Sequence, residues 1–384
     1  MKISFFLLSC VLLMASTLYG QTISLREVCT LPASLAETSG LETAGPNQFW
    51  THNDSGGQAA VYAFDTLGNI TRTIAVTNAG KTDWEDITKD AAGNIYVGDF
   101  GNNGNDRKGL YIYKIPPPAS IPGNSVAAAT IQFKYPDQKA YPPADNQKNF
   151  DMEAMIFFND SLYLFSKNQT TPFNGYTKLY RLPAVAGTYT AALVDSFYTG
   201  TDMLSGQITA AAISPDKQRL ALLTYTKIYV FSEFSGSRFF SGKVSRLDMS
   251  RLSQKEGIAF MDNCTVYVTD EEFMGTGRKL YQANICTTTT GLNHSVPDPS
   301  LHIQKIYPNP ALAEVAIHYQ LPYASHNAQL LIYNLYGQEI SRNPLQPSAA
   351  SMVLPVSGWP AGIYYCRIET GIHFGYTYKL AIAK

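Results

Sequence analysis

Five stretches of the chain place an acidic or hydroxyl residue just ahead of an apolar run: Ser39, Glu85, Glu153, Thr209 and Glu256. Each is answered by a polar residue closing the next apolar run. Asn53, Asp99, Lys167 and Asp270 follow their partners by 14 residues, and Thr224 follows Thr209 by 15, the extra residue lying in an SPDKQ turn. Three carboxylates and two hydroxyls brought to one place repel one another strongly unless a cation sits among them. Oxygen ligands of this kind suit Ca²⁺, which takes roughly six to eight oxygens including waters. No His/Cys cluster has zinc-ligand spacing. The plainer reading of the same five positions is a polar, water-filled channel in which each Glu bonds backbone amides of its neighbour.

Further polar residues fall at the same points of the repeat. His52, Asn53 and Asp54 close one run; Asp99, Asn102, Asn103 and Arg107 another; Lys167 and Asn168 a third; Asp270, Glu271 and Glu272 a fourth. Arg107 and Lys167 are placed to clamp a phosphate or carboxylate. His52 is a candidate general base, against the plainer reading of a turn histidine in an Asn-Asp-Ser-Gly-Gly loop. The Gly/Asn run at 101–105 reads as an Asx/Gly turn and lacks the strand–helix setting of a nucleotide loop. There is no GxSxG, HExxH or CxxC, so a serine- or cysteine-hydrolase reading has no anchor. Trp50, Trp84 and Tyr225 offer faces for a sugar, and equally serve packing.

These positions need elements that recur with them. Each copy continues from its two apolar runs into a third strand (AVYAFD, LYIYKI, KLYRL, KIYVFS, KLYQANI), and most into a fourth (ITRTIAV, ATIQFKY, ALVDSFY, SGKVSRL). Short β-branched and aromatic runs bounded by Gly, Asn, Asp and Pro are strands, and four-stranded units in series are propeller blades. The expected fold is all-β: a five-bladed β-propeller over residues 21–286, followed by a small Ig-like β-sandwich. The fifth copy lacks a fourth strand, which residues 23–31 supply by closing the ring. A six-bladed arrangement, with the extra blade in the Pro-rich segment 116–150, is the alternative. First strands line a propeller's channel, so the inner positions and their partners form two rings at one face.

Composition agrees with an exported β protein: 25 Tyr, 19 Phe, only 15% charged residues, and a net charge of −1 that argues against nucleic acid and against a polybasic membrane patch. Residues 1–20 carry a Lys, an apolar run and small residues, the pattern of a secretory signal peptide. No later stretch is apolar for about 18 residues, so no transmembrane segment is expected in the mature chain. Residues 287–302 (from TTTTGLNHSVPDPSL) read as a linker, and 303–384 as a second body of short strands (EVAIHYQL, QLLIYNLYG, SMVLPV, GIYYCRIET, YTYKLAIAK). Of five cysteines, Cys264 and Cys286 face each other in a hairpin turning near Met274, which favours a disulfide between them. Cys29 with Cys286 is the second choice, and free thiols the third.

The phrases IYPNPA (306–311), LLIYNLYGQEI (330–340), GWPAGIYYCRI (358–368) and YKLAIAK (378–384) resemble the type A C-terminal sorting domain of the type IX secretion system of Bacteroidetes-type bacteria. The resemblance implies passage across the outer membrane, contact with the secretion machinery and its sortase, and a mature protein that is released or surface-attached. THNDSGG, WEDI, YVGDFGNN, KLYRLP and EGIAF resemble uncharacterised exported propellers that precede such domains, a likeness that names no reaction. The alternation of hydroxyl and Glu in the inner ring is similar to the central calcium site of calcium-dependent apyrases. That likeness implies Ser39, Glu85, Glu153, Thr209 and Glu256 as calcium ligands, directly or through water.

Three functions follow from this reading. One is a binding module that takes a glycan, peptide or phosphorylated small molecule over the top face, using Asn53, Asp54, Asp99, Asn102, Arg107, Lys167, Asn168 and Asp270. Another is a calcium-dependent hydrolase of phosphate esters or anhydrides. The last is a purely structural interaction protein.

Overall fold

Asp- and Asn-centred turns punctuate the apolar runs. Asp65 Oδ1 accepts the backbone N–H groups of Leu67 and Asn69, and Asp90 Oδ1 repeats this with Ala92 and Asn94. Asp262 Oδ1 takes those of Cys264 and Thr265. Such side chains replace the missing backbone partners of a tight turn, and each of the three folds one strand back on the next.

A computed structural model describes residues 21–286 except 56 and 250, and 301–384 except 322–327, 336–337, 347–350 and 371–372. The expected signal peptide and residues 287–300 of the expected linker lie outside the described residues. The expected linker also took in Leu301 and residue 302, but Leu301 is buried and residue 302 already opens the strand His302–Tyr307.

Residues 21–286 form five sheets, each with an antiparallel core of strands in sequence order; three of them carry a parallel outer addition, and the fifth takes its outer strand from residues 26–30. Their first strands are Thr38–Gly45, Trp84–Lys89, Asp151–Phe158, Ala210–Ile213 and Lys255–Phe260. Their second strands are Gln48–Asn53, Ile95–Asp99, Ser161–Lys167, Arg219–Leu223 and Thr265–Asp270. First strands pack on one another in cyclic order, the fifth against the first. Every sheet–sheet junction holds its own apolar core. Trp50 and Val61 meet Ile87 and Val97 between sheets one and two, and Phe49 and Phe64 meet Tyr267 and Leu280 between sheets five and one. The arrangement is all-β and propeller-like.

The segment 21–30 closes the ring twice over. Arg26–Thr30 pairs antiparallel with Lys279–Asn284 as the outer strand of sheet five, and Gln21–Ile23 pairs parallel with the outer strand of sheet four. The segment 116–150 supplies the outer strand of sheet two, Ala129–Lys134, and a two-residue parallel addition to sheet one at Ser125–Val126. It contributes no sheet of its own among the described residues. Cys264 and Cys286 are joined in a disulfide across the sheet-five hairpin, with Cα atoms 5.0 Å apart. Cys29, the alternative partner, is a free thiol.

The ring is tight at its axis. One residue past each inner-ring position stand Gly40, Asp86, Ala154, Ala210 and Gly257. Four are small, and Gly40 adopts φ +63° with space for no side chain: a Cβ there would lie 2.7 Å from the Ile87 nitrogen. The fifth, Asp86, is fully buried and bridges the inner strands. Its Oδ2 accepts the N–H of Met155 at 2.7 Å and of Ala211 at 3.3 Å, and its Oδ1 that of Ile87 at 2.8 Å.

The C-terminal residues form two sheets around one core. His302–Tyr307, Glu314–Gln320 and Ser351–Pro355 make the first; Gln329–Asn334, Glu339–Pro344, Gly362–Thr370, His373–Phe374 and Tyr378–Ile382 make the second. Ile303, Val315, Ile317, Leu330, Ile332, Ile368 and Leu380 fill the space between them.

Candidate functional site

Glu85, Glu153 and Glu256 are each the unpaired residue at a register shift near the start of a first strand, where a bulge re-aims a side chain, and they line a cavity at one face of the ring. The cavity has a volume of about 360 Å³. Ser39, Glu85, Glu153 and Glu256 reach it from the starts of the first strands. Lys167, at the end of a second strand, lines it too, as do Asp54 and Glu271, each one residue past the end of one, and Tyr225, two residues past. Gln207, Gln254, Gln169, Asn103 and Met203 complete the wall.

Lys167 is the single cation among these residues. Its Nζ lies 3.0 Å from Glu153 Oε1, with both side chains largely buried, and 5.6 Å from the ring centre of Tyr225. Burial opposes its charge, yet Glu153, Tyr225, Glu256 and Asp151 together hold its pKa well above the ordinary lysine value. The carboxylates are pushed the other way. Burial, then Glu153 and Asp83, raises Glu85 well above the usual range. Burial raises Glu153 as well, against the pull of Lys167. Glu256 rises to about 7, through burial opposed by Lys167 and helped by Asp54. Glu271 rises to about 9, through burial and then Glu256 and Asp54. Five wall carboxyls share one ammonium, and four of them hold their protons to higher pH than an exposed carboxyl does.

Hydrogen bonding tells the same story in detail. Gln254 donates to Glu271 Oε1 at 2.8 Å, and Gln169 to Asp151 Oδ2 at 2.7 Å. Gln207 donates to the Asn168 carbonyl at 2.8 Å. Against this satisfied wall, Glu256 Oε2 and Asp54 Oδ1 are buried and have no hydrogen-bond partner. Buried acceptors are normally paired, so these two mark where a donor belongs.

Several of the expected site residues have structural partners in the fold. Arg107 does not face the cavity as a phosphate clamp. It donates to Asp99 Oδ1 at 2.8 Å and to the carbonyls of Gly101 and Gly109, pinning its own loop. Asn102 accepts the N–H groups of Asp106 and Arg107. Asn168 folds the 168–176 loop through Thr170 and Asn174. Asn53 donates to the Ser34 carbonyl. Asp99, Thr224 and Asp270 do a shared structural job: a side-chain oxygen at the end of the second strand takes a backbone N–H of a neighbouring segment, from Asp83, Lys227 and Lys279 respectively. Of the expected ligand-binding set, Asp54 and Lys167 line the cavity. His52 is fully buried beside Trp84 and away from the cavity wall, with burial lowering its pKa to about 4.

Two inner-ring hydroxyls have partners of their own. The Ser39 hydroxyl donates to the Glu85 carbonyl and the Thr209 hydroxyl to the Lys255 carbonyl, both at 2.6 Å, so each stitches one sheet to the next. Thr209 is not on the cavity wall. Among the described residues, no three His, Cys, Asp or Glu side chains are grouped to hold one metal ion. The five ring residues therefore do not fit a calcium ion bound directly by all of them.

Sequence reasoning passed over the residues two before each inner-ring position: Glu37, Asp83, Asp151, Gln207 and Gln254. Every one is an acid or an amide, at a constant offset, and two of them line the cavity. The signal was present and used the same register.

Comparison with known proteins bears on the two halves unequally. Residues 305–383 match the family described as the secretion system C-terminal sorting domain. No curated protein matches the chain. Among solved structures, PorZ, an essential surface component of the type IX secretion system of Porphyromonas gingivalis, is similar at 13% identity over 90% of this chain and 45% of that one, with a TM-score of 0.33. The chain thus spans less than half of PorZ. The PQQ-bound aldose sugar dehydrogenase of Streptomyces coelicolor is similar at 10% identity over 68% of this chain and 98% of that one, TM-score 0.38. A gluconolactonase of Xanthomonas campestris is similar at 12% identity over 70% and 88%, TM-score 0.37. Likenesses this distant bear on neither substrate nor mechanism. Among the described residues no helix is long and apolar enough to cross a membrane. The chain carries a type IX secretion system C-terminal sorting domain at residues 305–383 and is an exported protein, secreted or attached to the cell surface.

Proposed function

We propose that this protein is a ligand-binding module delivered to the cell exterior by the type IX machinery and its sortase. In this reading the five sheets are the five blades of a β-propeller spanning residues 21–286, the C-terminal pair of sheets is an Ig-like sandwich that addresses the protein, and the ligand sits in the acidic cavity. The observation that carries it is the pair of buried, unpartnered carboxylate oxygens of Asp54 and Glu256 on the wall of that cavity. Such groups cost stability in the free protein, and a bound donor removes that cost.

The test is thermal melting of the purified chain against panels of metal ions, organic amines, glycans and phosphorylated compounds, repeated with Glu256→Gln. Binding to the native state raises the melting temperature. One class should do so, and Glu256→Gln should abolish the shift. No shift from any class, with the variant indistinguishable from the parent, refutes the reading and leaves a structural interaction protein.

A calcium-dependent hydrolase is the second reading. Glu85, Glu153 and Glu256 favour it by facing one cavity, where a hydrated ion would bridge them through water. It predicts melting that falls with a chelator and phosphate-ester turnover lost in Glu85→Gln. The commitment of Arg107 to its own loop weighs against it.

A further inference from the structure

The cavity holds one built-in example of how it receives a cation. Lys167 extends an alkyl chain across the wall and sets its ammonium 3.0 Å from Glu153 Oε1, with the face of Tyr225 beside it at 5.6 Å. Elsewhere on the same wall stand Asp54, Glu256 and Glu271, close enough to raise one another's charge cost. Lys167 acts on Glu256 and Glu271 electrostatically, and Glu256 has a side-chain hydrogen bond with Tyr225. Glu256 is 5% exposed and its Oε2 has no partner; Asp54 Oδ1 is likewise buried and unpaired. Lys81, which interacts electrostatically with Asp54, is not on the cavity wall and donates to the Ser55 carbonyl at 3.0 Å.

The size and spread of these acids choose between kinds of cation. A metal ion needs its oxygens within about 2.6 Å of one point, and no three acids among the described residues are so grouped. An alkylguanidinium or alkylammonium group instead distributes several N–H donors over separate acceptors. A cavity of about 360 Å³ has room for such a head with its stem. Tyr225 and Met203 provide apolar surface for the stem.

The geometry points to an organic cation, an alkylguanidinium or alkylammonium group, as the ligand of this cavity, held by Asp54, Glu256 and Glu271. This rests on the reading of the cavity as a ligand site and names the chemistry of its occupant. A basic peptide side chain and a small free amine present the same head.

The deciding experiment is isothermal titration of the purified full chain at pH 8 with butylguanidinium chloride, with its neutral isostere butylurea, and with calcium chloride. The expected result is one butylguanidinium per chain, no butylurea binding, and at least tenfold weaker binding in Glu256→Gln. The variant should melt no lower than the parent, because it loses a buried unpaired charge; if it does melt lower, Glu271→Gln is read in its place. Calcium bound in preference to butylguanidinium overturns the inference while sparing the ligand site. Binding of neither, with both variants unchanged, overturns both.

Discussion

Replacing Lys167 with Met removes the single cation from the cavity wall and keeps most of the side-chain volume. Glu153 is 2% exposed in its side chain and loses its ion-pair partner at 3.0 Å. Removing one member of a buried pair costs about 3–5 kcal/mol, because the remaining charge is left desolvated. For a body of this size each kcal/mol is worth about 2–4 °C in melting temperature, so Lys167→Met should melt roughly 10 °C lower near neutral pH. The pH dependence carries the sign. Glu85, Glu153 and Glu256 have raised folded-state pKa values. Above their unfolded values the native state binds more protons than the unfolded chain, so stability falls as pH rises. Without Lys167 those values rise further. The deficit should therefore be small near pH 5 and grow toward pH 8. Adding Glu153→Gln should recover much of the loss, since it deletes the stranded charge, and the coupling is read from the double-mutant cycle. The assay is calorimetric melting of the four proteins at both pH values. A single variant within about 2 °C of the parent at pH 8, or a deficit equal at both pH values, would refute the electrostatic account of this cavity.

Other consequences follow from the same structure. Cys264→Ser should lower stability by about 3 kcal/mol, the chain-entropy value for a cross-link spanning 22 residues, seen as a shift in denaturant midpoint that reductant reproduces in the parent. Asp86→Ala strands the N–H groups of Ile87, Met155 and Ala211, at about 1–3 kcal/mol each. Asp86→Asn, which keeps an acceptor, should lose less when both are compared by urea unfolding. His52 has a folded pKa of about 4 and an ordinary unfolded value. The unfolded chain therefore binds the extra proton between about pH 6.5 and 4, and stability is lost as pH drops through that window, by up to about 3 kcal/mol. His52→Leu should remove this component, read as the difference between the two proteins' pH–stability curves. Gly40→Ala forces a Cβ to 2.7 Å from the Ile87 nitrogen at a positive φ, and should destabilise the ring by several kcal/mol, about 4 or more, or prevent its recovery as folded protein.

Much of the architecture was legible in the chain itself. The 14-residue register, the Asp/Asn turns and the aromatic third strands are local, and local patterns of period two make strands wherever they fall. The sorting-domain phrases were legible for the same reason, since they are short and contiguous. The register also brought Glu85, Glu153 and Glu256 to one cavity. It did not say where a side chain at the end of a second strand would turn. Lys167 faces the cavity, while Asp99 and Asp270, at the same register position, face backbone amides instead. That choice depends on which donor lies nearest across a sheet boundary, and donors from Asp83 or Lys279 come near only when the strands are paired. Asp86 makes the same point more sharply. In sequence it is one acid beside another in Trp-Glu-Asp-Ile; in the fold it binds amides of three sheets at the axis. Strand period and turn chemistry determined the elements and their order. The partners of each buried charge were decided by closure of the ring, because burial makes an unpaired charge costly and only the closed ring fixes which groups are left to pair.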